Sequence, residues 1–301
     1  MKIAIAAATG NIGNRTATKI SEAGVQTILL GRDAAKLEAL KIKDAISIAT
    51  DLSDTNHVIK ATAGAEALLW LVPPISNYPS LRESYEKVIK AGVEAVKANE
   101  IKRVVAITSI GAGSKENLGT ISYAGQIEEA FRKLKVNFVA LRPGYFMENF
   151  LSQTASIKDD GYFTFTYAPD HDIPFISTDD IGDVAARYLL DDSWAGQWSR
   201  NLMGPRNITL TQAAEILSEA LNKPVVYRQT SLDDAGQGLL NAGLPETIKQ
   251  ELIDLFEALG DPNGIYATAR TFEAFTPTTF KEFVENKFAP VLNNFCRRLS
   301  F

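Results

Sequence analysis

Ile3-Ala4-Ile5-Ala6-Ala7-Ala8-Thr9-Gly10-Asn11-Ile12-Gly13-Asn14 is a short apolar run that breaks into glycines and then into a helical pattern. The order predicts a buried parallel strand, a glycine turn and a helix. In such a turn the backbone approaches a pyrophosphate closely, and the helix N-terminus offers unpaired N–H groups and the positive end of its dipole. Phosphate charge is then held without a lysine. The spacing is Ala7-x-x-Gly10-x-x-Gly13, with alanine at the first position, so the stretch also fits a tight strand-to-helix turn in any α/β protein.

The next strand sharpens the reading. Gln26-Thr27-Ile28-Leu29-Leu30 is followed by Gly31-Arg32-Asp33, with Arg32 nineteen residues after Gly13, at the position that reads the adenosine ribose. An acidic side chain there hydrogen-bonds the ribose hydroxyls, whereas an arginine makes charge-assisted hydrogen bonds to a 2′-phosphate. The expected cofactor is NADP(H) in preference to NAD(H). Asp33 has two readings: it reaches the ribose, or it caps a helix running through Ala34, Leu37 and Leu40, and the cap is favoured.

A chain of 301 residues, 46% of them hydrophobic, accommodates one nucleotide-binding core and a smaller lobe. The net charge of −5 and the scattered Lys and Arg give no field that would gather nucleic acid or anionic lipid, and Arg297-Arg298 does not alter this. One cysteine, Cys296, cannot form an internal disulfide, and the first residues enter a strand directly rather than a signal segment. A cytoplasmic protein is expected, with no membrane role, since no apolar run approaches bilayer length. The partner expected is a small-molecule substrate; a homodimer or a protein partner stays open.

From Met1 to about Leu141 short aliphatic runs alternate with longer amphipathic ones, as βαβ units do. The four further strands are Ala45–Ala49, Ala67–Val72, Arg103–Ile107 and Asn137–Leu141. In the longest interval Leu81, Tyr85, Val88, Ile89, Val93 and Val96 repeat at three and four residues, leaving Glu83, Glu86, Lys87, Lys90 and Lys97 to water. That stripe suits packing on the sheet or a dimer seam, the sheet being favoured. The fold expected is α/β, a doubly wound parallel sheet over residues 1–150, with a smaller α+β substrate lobe over 151–301 interleaved with it. Phe280, Phe283, Val284, Lys287, Phe288 and Val291 read as an amphipathic helix docked on that lobe.

Ligands of open α/β sheets bind beyond the carboxyl ends of the strands, so the residues that follow each run should ring one crevice. Cofactor contacts are expected from Thr9, Gly10, Asn11, Ile12, Gly13, Arg32, Asp51, Leu52, Val72, Pro73, Thr108, Ser109, Pro143, Gly144 and Tyr145. Acceptor contacts are expected from Pro74, Phe146, Asn149 and Phe150, with Asn149 equally suited to capping or tying the local turn. The two histidines and the cysteine have no metal-ligand spacing.

The order of these features resembles the atypical short-chain dehydrogenase/reductases and, more narrowly, the NmrA-like family, which includes quinone reductases, plant ether reductases and redox-sensing regulators. The resemblance spans nearly the whole chain. It rests on Ala8-Thr9-Gly10-Asn11-Ile12-Gly13, Gly31-Arg32, Thr108-Ser109, Ile127-Glu128-Glu129, Ile176 to Val184 and, most specifically, Leu141-Arg142-Pro143-Gly144-Tyr145-Phe146-Met147-Glu148-Asn149. It implies a Rossmann domain that binds NADP(H), with the pyrophosphate on Thr9 to Gly13, the 2′-phosphate on Arg32 and the loop after the sixth strand near the nicotinamide.

One departure bears on mechanism. Short-chain dehydrogenases commonly pair a tyrosine with a lysine four residues on, whose ammonium lowers the phenol pKa. Tyr123 is followed at that spacing by Ile127, and Ala124, Gly125 and Gln126 supply no substitute. Ketone reduction by that route is disfavoured. Quinones and conjugated carbonyls relax the demand, because the incoming charge is delocalised and the protein chiefly orients the reactants. Tyr123 and His171 are the residues expected to supply a proton, although an aromatic is more often core than contact and a lone loop histidine is more often solvated. His57 follows Asp54 in a helix-start pattern and reads as a surface residue.

The leading expectation is thus an NADPH-dependent oxidoreductase of a small quinone-like or conjugated carbonyl acceptor. A non-enzymatic NADP(H) sensor is the alternative, and a nucleotide-sugar epimerase, which also relies on the missing pair, ranks last.

Overall fold

The computed structural model describes residues 1–73, 78–114 and 117–292, so Pro74, Cys296 and Arg297-Arg298 lie outside the described residues. In chain order the elements are β1 (Lys2–Ile5), α1 (Asn11–Glu22), β2 (Gln26–Gly31), α2 (Ala34–Ala39), β3 (Ile46–Ala49), α3 (Thr55–Ala61), β4 (Ala67–Trp70), α4 (Leu81–Ala98), β5 (Arg103–Ile107), α5 (Thr120–Arg132) and β6 (Asn137–Pro143). There follow β7 (Tyr145–Phe146), α6 (Thr154–Asp159), β8 (Tyr162–Phe165), β9 (Phe175–Ile176), α7 (Thr178–Leu190), β10 (Gln197–Leu202), α8 (Leu210–Leu221), β11 (Val226–Gln229), α9 (Leu232–Asn241), α10 (Glu246–Gly260) and α11 (Phe280–Phe283).

The chain forms two compact units. The first comprises Met1–Arg142 and Ile181–Arg200, the second Pro143–Asp180 and Asn201–Phe301. The first unit ends at Arg142 and takes up the later segment Ile181–Arg200, so the two units alternate along the chain. The later segment belongs there because the body of α7 docks on α1. Arg15 makes a bidentate pair with Asp183 at 2.7 and 2.8 Å, and Gly182 lies so close to Arg15 that a Cβ would stand 2.7 Å from the Arg15 side chain.

In the first unit the sheet order is β10-β6-β5-β4-β1-β2-β3, with parallel pairing from β6 through to β3. Alternate strand residues share a face. Ala4, Ala6, Leu68, Trp70, Val104, Ala106, Phe138 and Ala140 pack with Val58, Val88, Ala91, Ala95, Ile127 and Phe131 of α3, α4 and α5. The α4 stripe does pack on this core, but with a shifted centre. Ser84, Ala91, Gly92 and Ala95 are buried, whereas Leu81, Tyr85 and Val93 are only partly so. The cause is Trp70: a Cβ on Gly92 would stand 2.4 Å from its ring, so the helix must present small residues there.

Local caps fix the helix starts. Asp33 accepts the Lys36 N–H at 3.1 Å, and Asp54 accepts the His57 N–H at 3.0 Å. Each such cap is worth about 1 kcal/mol.

The second unit has two small parallel ladders, β7 with β9 and β8 with β11. Its core is aromatic: the Phe150 ring meets Phe163, Phe165, Phe175 and Phe280 at 4.9–5.7 Å between centroids. The C-terminal amphipathic pattern is α11 continued as a π turn over Val284–Phe288. Phe280, Phe283, Val284 and Phe288 are buried, while Val291 is exposed. Lys287 reaches Asp179 at 2.7 Å and Glu148 at 3.3 Å. No helix among the described residues is long and apolar enough to cross a membrane.

Candidate functional site

The turn after β1 is held by Ala8 N–H to Leu30 O at 2.9 Å and Gly10 N–H to Ala7 O at 2.9 Å. Ala7 sits at φ 48°, a left-handed conformation that glycine adopts more cheaply. Gly10 is the N-cap of α1 and offers no side chain, so the first-turn N–H groups of Asn11, Ile12 and Gly13 have no side-chain cap, and that turn carries no acidic residue. A Cβ on Gly13 would stand 2.5 Å from Ala7 O and 2.9 Å from Ala8 Cα. Only glycine brings helix and strand this close. Thr9, Gly10 and Asn11 line the exposed mouth, with Ile12 and Gly13 buried beneath it. This is a cradle of donors with a positive dipole end, and it fits a diphosphate.

Arg32 is exposed immediately after β2, and Gly31 before it is buried against Leu37 and Thr9. Asp33 is engaged as the α2 cap, so its carboxylate is turned to the helix backbone. The side chain at the ribose-reading position is therefore cationic.

The remaining strand ends are mixed. Asp51 is exposed, but its Oδ1 accepts both the N–H and the hydroxyl of Ser53, at 2.9 and 2.7 Å. The Leu52 side chain is core, packed with the β1–β5 face, which corrects its expected role as a cofactor contact to one its backbone alone could serve. Val72, Pro73, Thr108 and Ser109 are partly buried. The Ser109 hydroxyl donates to Ile110 O at 3.0 Å, and that of Thr108 donates to Glu128 Oε1 at 3.0 Å.

Three expected contacts prove to be structural. Tyr123 is 3% exposed on α5, its ring 5.4 Å from that of Tyr85 and 5.0 Å beneath the Arg82 guanidinium. Ile127, one turn on, is in the core, and a Cβ on Gly125 would stand 2.7 Å from Gly113 N, so neither of these two positions has room for a lysine. His171 is 6% exposed, wedged between Tyr167 and Tyr266, with Nε2 2.8 Å from Leu259 O. A carbonyl only accepts, so Nε2 carries the proton and spends it there. Phe150 is fully buried at the centre of the aromatic core. Residue type alone does not tell a lining ring from a core ring.

The segment after β6 is rigidly built. Gly144 N–H donates to Leu202 O at 2.9 Å and Tyr145 N–H to Pro174 O at 3.1 Å. A Cβ on Gly144 would fall 2.1 Å from Pro174 O, so the glycine is what allows the approach. Pro143 is buried, and Gly144, Tyr145 and Phe146 are partly exposed. The Tyr145 ring is met edge-on by Phe165, Tyr167 and Phe175 at 5.5, 6.4 and 5.6 Å. Burial pushes its phenol well above the ordinary tyrosine range, and the neighbouring Asn149 side chain works in the opposite direction.

Sequence reasoning missed the residues that brace these segments. Gln153 binds the Thr164 backbone through both amide atoms, at 2.9 and 2.7 Å. The Tyr227 hydroxyl donates to Phe165 O and Tyr167 O. Glu148 takes the Thr178 N–H at 3.0 Å. Their signal is pairing across the chain, which one sequence does not display.

Parallel strands ending in a glycine cradle and a cationic ribose position define a dinucleotide-binding α/β protein of the Rossmann type. The NmrA-like family is matched over residues 1–284, and the chain belongs to that family. It is 25% identical over 288 residues to an NAD(P)H azoreductase of Xenophilus azovorans, covering 94% of this chain and 96% of that one. It is 26% identical over 281 residues to quinone oxidoreductase 2 of Escherichia coli, covering 92% and 95%. The crystal structure of an NADPH-dependent quinone oxidoreductase of Escherichia coli complexed with NADPH superposes with a TM-score of 0.76 at 25% identity, over 95% of this chain and 99% of that one.

Proposed function

We propose that the chain is an NADP(H)-dependent oxidoreductase acting on a small quinone-like or conjugated carbonyl acceptor without a Tyr-x-x-x-Lys pair. The observation that carries this is the α1 cradle with Arg32 beside it and Asp33 withdrawn into a helix cap. Relatives matched over more than nine-tenths of the chain, an azoreductase and a quinone oxidoreductase, support the acceptor class. The reduced nicotinamide, when bound, supplies the hydride.

The chain's own residues bind and orient. The N–H groups of Asn11, Ile12 and Gly13 take the diphosphate, and Arg32 takes the 2′-phosphate through charge-assisted hydrogen bonds. Ile127 in the lysine position leaves no ammonium to generate a phenolate from Tyr123, which argues against ketone substrates.

The test is NADPH oxidation by the purified protein against quinones, azo compounds, enones and aldehydes, with Arg32→Ala alongside. Turnover is expected with quinones or conjugated acceptors and not with simple aldehydes. Arg32→Ala should weaken NADPH binding about 10- to 100-fold while leaving NADH unaffected, the loss of charged hydrogen bonds being worth about 1.5–3 kcal/mol. Tight NADPH binding with no turnover on any acceptor would overturn the enzyme in favour of a cofactor sensor.

A further inference from the structure

We infer that Tyr78 is a positioning residue for the base of the cofactor. Through Ser53 it aligns the Asp51 carboxylate, one oxygen of which accepts from the exocyclic amino group of adenine, so the site prefers adenine to a purine with a carbonyl in that place. The inference rests on the NADP(H) reading above and adds the base to the parts of the nucleotide that the chain recognises.

All of these residues belong to the first unit, and its sheet order β4-β1-β2-β3 lays the nucleotide out in sequence. The cradle follows β1 and Arg32 follows the neighbouring β2, so the part of the ligand beyond the ribose falls toward β3 at the edge. Gly31 pairs with Ala49 across β2 and β3, and Thr50 N–H donates to Gly31 O at 2.8 Å. Arg32 and Asp51 therefore leave the carboxyl ends of adjacent strands. Leu52 is buried in the core and Asp54 caps α3 through the His57 N–H, which holds the backbone on both sides of Ser53.

Asp51 is exposed, and an exposed carboxylate ordinarily exchanges rotamers, but this one is pinned. Oδ1 accepts the Ser53 N–H at 2.9 Å and the Ser53 hydroxyl at 2.7 Å, and the Tyr78 hydroxyl lies 2.7 Å from Ser53 Oγ. A carboxylate only accepts, so the single hydroxyl proton of Ser53 goes to Asp51 and that of Tyr78 goes to Ser53. The chain of hydrogen bonds runs one way, from phenol to serine to carboxylate. Tyr78 is itself held from α4: its ring packs on the core, with its centroid 4.4 Å from the Lys87 ammonium, which pairs with Glu83 at 2.8 Å. Both hydrogen bonds to Asp51 fall on Oδ1, and among the described residues Oδ2 has no partner. An acceptor fixed in advance meets an amino group well and a carbonyl oxygen badly.

The probes are NADPH and its reduced hypoxanthine analogue, whose binding to the full chain is followed by dihydronicotinamide fluorescence with no acceptor present. The wild type should bind NADPH about 10-fold more tightly than the analogue. Tyr78→Phe keeps the ring and its contact with Lys87. It should weaken NADPH about three- to fivefold and leave the analogue as it was, so the preference narrows. Ser53→Ala cuts the same chain one link nearer to Asp51 and should narrow the preference at least as much, and adding Tyr78→Phe to it should change nothing further. Equal weakening of both nucleotides in Tyr78→Phe would mark a merely structural tyrosine and overturn the assignment, as would a wild type that binds both with equal affinity. A wild type that binds neither would bring down the cofactor reading, and this assignment with it.

Discussion

Glu128 on α5 holds the guanidinium of Arg142 in a two-pronged grip, Nε to Oε1 and Nη2 to Oε2, each at 2.7 Å. The carboxylate is 5% exposed and also accepts from Thr108, Ser199 and Arg132, so one buried charge ties α5 to the ends of β5 and β6 and to β10. Removing Arg142 would leave the buried carboxylate with the longer contact to Arg132 in place of the two-pronged one. Arg142→Ala should cost about 2–3 kcal/mol in a denaturant titration, less than a fully uncompensated buried charge would, because Arg132 stays beside the carboxylate. Glu128→Gln combined with Arg142→Met should cost less than the sum of the single changes, because neither charge is then left unpaired.

Ala7 occupies a left-handed conformation at φ 48° in the first position of the glycine turn. A side chain there costs about 1–2 kcal/mol relative to glycine, part of which the greater freedom of an unfolded glycine offsets. Ala7→Gly should therefore stabilise the protein by about 0.5–1 kcal/mol, read as a higher denaturation midpoint with an unchanged slope.

Gly13 has the reverse constraint, since an added Cβ meets backbone at 2.5 Å. Backbone cannot rotate away as a side-chain tip can. Gly13→Ala should lower stability by about 1–3 kcal/mol and push α1 off the turn. NADPH affinity, measured by the fluorescence of the bound dihydronicotinamide, should drop by about tenfold or more as the donors move out of line.

Burial pushes the Tyr85 phenol up to about 12, and burial also raises Tyr145, Tyr167, Tyr227 and Tyr266. The folded state thus retains these protons when the unfolded chain, near pH 10, begins to release them. Stability is full below pH 10 and falls as pH rises from 10 toward 12, by about 3 kcal/mol for Tyr85 alone. Titration at 295 nm should show most of these phenols ionising only with the loss of near-ultraviolet dichroism. Gradual ionisation of all tyrosines in a folded protein would contradict this.

Much of the fold was legible locally. The β1 turn and α1 follow from an apolar run meeting Gly10 and Gly13, and the α2 and α3 starts from Asp33 and Asp54. The turn that carries Thr9 to Gly13 and the exposed Arg32 after β2 were legible for the same reason, since each depends on backbone direction and position along one short segment. The acceptor end was not. Phe150, His171 and Tyr123 have the chemistry of pocket residues, yet partners far along the chain enclose each of them: Phe280, Leu259 and Tyr85 respectively.

The sequence by itself determined the alternation of strands and helices, the glycine turn after β1 and the positive charge after β2, because these depend on residues within a few positions of one another. Tertiary structure alone decided which later segment returns to the sheet unit, that Trp70 demands the small face of α4, and that Phe150 is enclosed at the centre of the aromatic cluster. Each of those outcomes is a competition for the same space between segments tens to more than a hundred residues apart. Burial is a property of the assembled neighbours, so no local pattern encodes it.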